Sequence, residues 1–290
     1  LDMAKIWEVS TGELFGELKG RASFFFSALY SPDGRSLLTA CFDYSGGTVK
    51  TWNTATGKLA KEFVKQPMIL NLAKYSPACP GDPAGGKFIA IASSDRMVSI
   101  RTAADEKLVR ALKHTDWINS VDFSPDGKYV VTASRNDTAR IWNIAEGTVH
   151  AALIGHSSWV NSAAYSPDGR FIVTSSLDNT AIIWDATTGK LLTRLEGHEL
   201  EINTAAYSPD GKFIVTSSND NTPGIWKADD GKLVTLLKGH NDNVIAAVFS
   251  PDGKYIVTTS WENTAMTWDA VTGKPLKELA GHTLDVRSAV

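Results

Sequence analysis

The stretch GHSSWVNSAAYSPDGRFIVTSSLDNTAIIWD, Gly155 to Asp185, decides how the chain is read. WVNSAAYS alternates apolar with small or polar residues, as a half-buried strand does. Ser166-Pro167-Asp168-Gly169 follows, with proline, aspartate and glycine placed for a tight turn. RFIVTSS is rich in β-branched residues and reads as a buried strand. LDN is a second turn, TAIIWD a third strand, TTGK a third turn and LLTRLEG a more polar fourth strand. No sustained helical period competes with these four short strands joined by hairpin loops.

The same unit recurs. Ser-Pro-Asp-Gly stands at Ser31–Gly34, Ser124–Gly127, Ser166–Gly169, Ser208–Gly211 and Ser250–Gly253. Trp142, Trp184, Trp226 and Trp268 are 42 residues apart, as are His114, His156, His198, His240 and His282. A fixed period near 40 residues marks a tandem array of one supersecondary unit, which makes Ser-Pro-Asp-Gly punctuation and not a site. With "GH … SPDG … IVTSS.DNT..IWD" as its unit, the chain resembles the WD40-repeat family over almost its whole length. The resemblance implies an all-β fold, a β-propeller of four-stranded antiparallel blades.

Trp7, Trp52, Trp142, Trp184, Trp226 and Trp268 fill the tryptophan position and Arg101 takes it once, so seven blades are expected. Innermost strands are expected near Phe24, Ile69, Trp117, Trp159, Glu201, Asn243 and Asp285, but only six second strands can be found. The closing blade would join the C-terminal strand DVRSAV to the N-terminal DMAKIW and lack one strand. Residues 1–290 therefore read as a single propeller domain, truncated at both ends and belonging to a longer chain with further domains. Two loops look enlarged: Tyr75–Ser93, stretched by Pro and Gly, and Asp43–Gly47.

The recurring polar residues form a set in each unit: His156, Thr174 or Ser176, Asp178 and Trp184, then His198, Thr216 or Ser218, Asp220 and Trp226. In the family such residues make a buried hydrogen-bond chain, since a buried imidazole, hydroxyl and indole N–H each need a partner. Asn136 and Glu262 replace the acid opposite His114 and His240, and Arg21 and Gln66 replace the histidine. A Ser/His/Asp trio also suggests a hydrolase, but a trio written once per blade is scaffold. The histidines diverge around the ring and cannot converge on zinc, and turns such as Asp178–Thr180 lack the oxygen-rich loop of a calcium site. No cofactor, metal or catalytic residue is expected.

Specificity should lie where the units differ. By family resemblance, the residue three past each histidine opens the innermost strand at the top rim of the channel. Around the ring these are Phe24, Ile69, Trp117, Trp159, Glu201, Asn243 and Asp285, followed two residues on, on the same strand face by alternation, by Phe26, Asn71, Asn119, Asn161, Asn203, Ile245 and Arg287. Arg135, Leu177, Asn219 and Trp261 stand just before the turn-acid position. An apolar arc and an acidic, polar arc suit a peptide with an apolar anchor and a basic residue. Alternatively the rings pack on neighbouring loops. The four asparagines either line the channel or persist from duplication.

Of the chain's 290 residues, 43% are hydrophobic and 21% charged, with net charge −3, which disfavours nucleic acid or an anionic membrane as partner. No apolar run approaches the ~20 residues of a membrane span. Two cysteines, without metal-ligand spacing, suit a reducing, cytoplasmic setting. The leading expectation is a non-enzymatic scaffold or sensor, in the signalling style of long WD arrays, that binds a protein or peptide. The alternative is a small-ligand-binding or catalytic propeller using the channel mouth, with Glu201, Asp285 and Arg287 as its charged candidates.

Overall fold

A computed structural model describes residues 4–7, 13–18, 24–43, 46–66, 68–79, 85–279, 282 and 286–288. The described residues contain strands and turns and no helix. Six four-stranded antiparallel sheets span Phe24–Gln66, Leu70–Lys113, Ile118–Ile154, Val160–Leu195, Ile202–Leu236 and Val244–Leu279, here blades 1 to 6. A seventh, two-stranded sheet pairs Ala4–Trp7 with Leu14–Leu18. Each innermost strand packs on the innermost strand of the next blade, from Phe24–Tyr30 through to Val244–Phe249, so the sheets stand as wedges around one axis: a β-propeller.

The core lies between the blades. Val131, Ile141 and Leu153 of blade 3 meet Val160, Ile172 and Trp184 of blade 4 in one cluster. Val173, Ile183 and Leu195 of blade 4 meet Ile202, Ile214 and Trp226 of blade 5 in the next. The second strand of each blade is covered on both faces: in FIVTSS of blade 4 only Phe171 is less than fully buried, and its hydroxyl residues are buried with the apolar ones. The C-terminal and N-terminal segments meet. The His282 and Trp7 rings are 6.3 Å apart, repeating the His–Trp pairing found within blades 3 to 6. Arg287 lies 6.0 Å from the Phe26 ring. This is the expected closing blade, partial among the described residues; residues 286–288 form no strand there.

Each Ser-Pro-Asp-Gly segment is a tight turn. The glycine N–H donates to the serine carbonyl at 2.8–2.9 Å. The serine hydroxyl donates to the aspartate at 2.6–2.7 Å. Glycine is required by φ of 69–72° and by packing, since a Cβ on Gly169 would stand 3.2 Å from Pro125 of the preceding turn. The Tyr75–Ser93 connection is long, as expected, yet keeps the turn's closing bond from Ser76 N–H to Phe88 O at 2.9 Å. Asp43–Gly47 is not an enlarged loop. The inserted residues lengthen the hairpin, so that strands Ser36–Asp43 and Gly46–Asn53 pair out to Asp43 and Gly46.

The innermost strand of every four-stranded blade carries a β-bulge at one position: Phe26, Asn71, Asn119, Asn161, Asn203 and Ile245. A bulge adds one unpaired residue and re-aims its side chain. Four of these are the asparagines, and each donates Nδ2–H to a backbone carbonyl of the next blade. Asn71 bonds Ile118 O at 3.0 Å, Asn119 bonds Val160 O at 3.0 Å, Asn161 bonds Ile202 O at 2.9 Å and Asn203 bonds Val244 O at 2.8 Å. The asparagines are clamps between blades, and the bulge breaks the alternation that would put them on the same face as Trp117 and Trp159. A second row of clamps uses Ser27, Ser162 and Thr204, whose hydroxyls accept from Ala73, Ala205 and Ala247 N–H at 3.0–3.3 Å. Replacing Asn161 with Ala removes one clamp and orphans a carbonyl. We expect a loss of about 1–2 kcal/mol in urea unfolding, with the β-sheet circular dichroism unchanged.

Candidate functional site

Two faces follow from the strand directions. One carries the Ser-Pro-Asp-Gly turns; the opposite one, the rim face, carries the entry to each innermost strand and the turn after each second strand.

On the rim face the polar set is wired inward. Trp184 Nε1–H donates to Thr174 Oγ1 at 2.8 Å, His156 Nε2 meets the same hydroxyl at 2.7 Å, and His156 Nδ1 meets Asp178 Oδ2 at 2.8 Å. Blade 5 repeats this with Trp226, Thr216, His198 and Asp220 at 2.7–2.8 Å. A neutral imidazole donates from Nδ1 to the acid and accepts the threonine O–H at Nε2, so every group is used. The threonine, not Ser176 or Ser218, belongs to this relay. Those serines donate instead to Ser158 O and Leu200 O and accept from the N–H of Asp178 and Asp220, fixing the acid-bearing turn. Blade 6 keeps the relay with the longer Glu262, 2.5 Å from His240. Burial opposes ionisation of Asp178 and Asp220, but hydrogen bonds from the histidine and the following threonine outweigh it and hold both carboxyls well below their usual range. The relay is buried and saturated; it offers no nucleophile. Among the described residues no His, Cys, Asp or Glu cluster could hold a metal ion.

Blade 3 departs. Its turn reads Arg135-Asn136-Asp137-Thr138 where blade 4 has Leu177-Asp178-Asn179-Thr180, so amide and acid are exchanged. Asp137 takes the left-handed backbone position at φ 63°, which Asn179 fills in blade 4. Asn136 turns its amide to Thr115 Oγ1 at 2.7 Å. Buried His114 is left with neither ring nitrogen bonded, and burial, then the Arg140 charge, push its pKa down to about 4.

The rim residues come next. Trp117, Trp159 and Trp261 are 39%, 42% and 48% exposed, and Leu200, beside Glu201, is exposed too. Arg135 packs against two of them: its guanidinium carbon is 4.6 Å from the Trp117 ring centroid and 4.6 Å from that of Trp159. Its Nε–H donates to Asn119 Oδ1 at 3.2 Å. Sequence position alone did not show that Trp117 and Arg135 of blade 3 and Trp159 of blade 4 form one stack. In blade 5 Glu201 accepts from Asn219 Nδ2 at 3.3 Å, and Asn219 Oδ1 accepts from Asn203 at 2.7 Å. Asn243 and Ile69 are half-buried on the rim. Phe24 begins the innermost strand of blade 1, and Phe26 sits at its bulge under Arg287. Asp285 and Arg21 lie outside the described residues.

The family described as "WD domain, G-beta repeat" matches residues 106–143, 147–185, 189–227 and 231–269, over half of the chain. The chain belongs to the WD40-repeat family. It is similar to nuclear distribution protein PAC1 of Arthroderma benhamiae, 30% identical over 145 residues, 49% of this chain and 31% of the relative. It is also similar to telomerase protein component 1 of Rattus norvegicus, 27% identical over 151 residues, 52% of this chain and 5% of the relative. Eukaryotic translation initiation factor 3 subunit I of Vanderwaltozyma polyspora is 24% identical over 195 residues, 49% of this chain and 55% of the relative. The chain thus spans about a third of the length of the nuclear distribution protein it matches.

The broken relay carries a prediction. His114 protonates near 6.5 when unfolded and near 4 when folded, so between these values the unfolded chain binds a proton that the folded chain refuses. Stability present above pH 6.5 drains as pH falls towards 4, by roughly 3 kcal/mol from this group. Asp178, Asp220 and Glu262, whose folded pKa values are lowered, begin to lose their contributions as pH falls through their unfolded values, 3.8 for the aspartates and 4.5 for the glutamate, at the acid end of this range. Asn136→Asp restores the acid. It should add about 1 kcal/mol at pH 7 and flatten the loss between pH 6.5 and 4, read as urea midpoints across that range.

Proposed function

We propose that this chain is a non-enzymatic interaction module whose partner, a protein or an extended peptide segment, seats on the rim face around the central channel. The observation that carries this reading is the Trp117–Arg135–Trp159 stack. It unites large exposed rings at positions where the repeats differ, on a scaffold whose histidine relays in blades 4 to 6 are already saturated. Tryptophan and arginine anchor interfaces because a little ordering buries much area. Exposed Trp261 and Leu200 and half-buried Glu201 and Asn243 extend the surface over blades 5 and 6. Among the described rim residues no acid, base and nucleophile converge, since Glu201 is engaged by Asn219 and Arg287 lies over Phe26. Two of the relatives are named as a component and a subunit of assemblies, which suits a scaffold. A chain with only two cysteines, Cys41 and Cys79, suits a reducing, cytoplasmic compartment.

Trp117→Ala combined with Trp159→Ala should cut capture of cellular partners by the immobilised chain at least about tenfold, without lowering the thermal midpoint by more than a few degrees. Undiminished capture by a folded double variant would remove this face from consideration.

A further inference from the structure

We infer that the Trp117–Arg135–Trp159 stack is a preformed receptor for a single carboxylate, an aspartate or glutamate side chain of the partner's extended segment; this rests on the reading of the rim face as an interaction surface. The Trp117 and Trp159 ring centroids each lie 4.6 Å from the central carbon of the Arg135 guanidinium. Its remaining donors lie in its own plane. Nε–H is taken by Asn119 Oδ1 at 3.2 Å, and Asn119 is itself tied to Val160 O at 3.0 Å. No acceptor among the described residues reaches Nη1 or Nη2. The fork is therefore packed against two indoles and held at one edge, with its outer donors open to solvent.

A carboxylate is the group that fits. Two oxygens in one plane accept from a guanidinium edge bidentately, and charge on both partners shortens and strengthens the bonds. The half-exposed indoles lie beside the site, so an arriving carboxylate with its methylene stem displaces water from aromatic surface as it pairs. Because Arg135 is ordered beforehand, little side-chain entropy is lost on binding. A lysine or arginine of the partner meets a resident cation here and is repelled. A phosphate group, with up to two charges, finds one guanidinium, and the next rim position, Glu201, is acidic. The basic residue expected of a partner from sequence therefore belongs, if anywhere, on the Glu201 side, while the aromatic arc takes an acid flanked by apolar residues.

The test is selection of a phage-displayed dodecapeptide library on the wild-type chain, with the Trp117→Ala/Trp159→Ala variant as counter-selection. Selected peptides should carry Asp or Glu beside an apolar residue. In a synthetic, terminally blocked peptide, Glu→Gln should weaken binding about tenfold. Arg135→Gln, with its melting curve unchanged, should weaken the parent peptide equally and the Gln peptide no further, so that the double-mutant cycle is non-additive. Peptides selected without an acid, equal binding of Glu and Gln forms, tighter binding of a phosphoserine form, or a Glu preference that survives Arg135→Gln would each overturn the carboxylate assignment while leaving the face an interaction surface. If the wild-type chain selects no peptide that the double tryptophan variant fails to bind, the surface reading falls and this inference with it.

Discussion

A four-stranded sheet that is apolar on both faces cannot stand alone in water, and the rest of this structure follows from that constraint. The second strand of every complete blade is buried almost throughout, and the hydrophobic clusters straddle pairs of blades. Each wedge is therefore half of two cores. Nearest-neighbour stacking of this kind leaves two unsatisfied faces at the ends of an open array, and bending into a ring brings them together. Leu18 of the closing sheet with Leu37 and Trp52 of blade 1 covers one side of the junction, and the approach of Trp7 to His282 marks the other.

Apolar burial alone would let neighbouring sheets slide. The polar groups fix their positions. Within a wedge, one threonine hydroxyl receives an indole N–H and meets an imidazole, pinning the second strand to the third and to the loop before the first. Between wedges, asparagine amides and serine or threonine hydroxyls reach a defined backbone atom of the next blade. Each would leave a buried donor or acceptor unpaired after a one-residue slip, which makes the wrong register costly. Blade 3 is the informative exception. Its relay lacks the acid, its histidine is unbonded, and the same turn begins with Arg135. Saturation is surrendered in the blade that presents the cation to solvent, as expected where a local rule of the scaffold gives way at a site.

Strand order, the turn role of Ser-Pro-Asp-Gly and the membership of His156, Asp178 and Trp184 in one set were legible because they are properties of a single unit, repeated. What escaped were relations between units. The asparagine clamps recur with the period of the repeat, but their partners are backbone carbonyls one blade on, and carbonyls leave no trace in composition. Alternation placed Asn119 on the same face as Trp117, and the bulge at Asn119 defeats that inference by inserting one unpaired residue. Thr174 and Ser176 are equivalent hydroxyls in sequence; only their separation from the imidazole distinguishes them. The Asp43–Gly47 insertion read as loop because glycine and serine are turn formers, yet extra hairpin pairing absorbed it.

The bulge is where scaffold and recognition meet. By turning an asparagine towards the next wedge, it ties blades 2 to 6 to one another, and in blades 3 and 5 the same amide touches the variable rim residue above it. Asn119 accepts from Arg135 in blade 3, and Asn203 donates to Asn219 in blade 5. The rim side chain is thus oriented by a group that the ring already holds in place. Exchanging the residue at positions 135, 177, 219 or 261 alters what the face presents while leaving the bond from asparagine to the neighbouring blade intact where an asparagine is present. A repeat array can therefore diversify its surface one blade at a time, since the atoms that decide stability and those that meet a partner share a support and are otherwise separate.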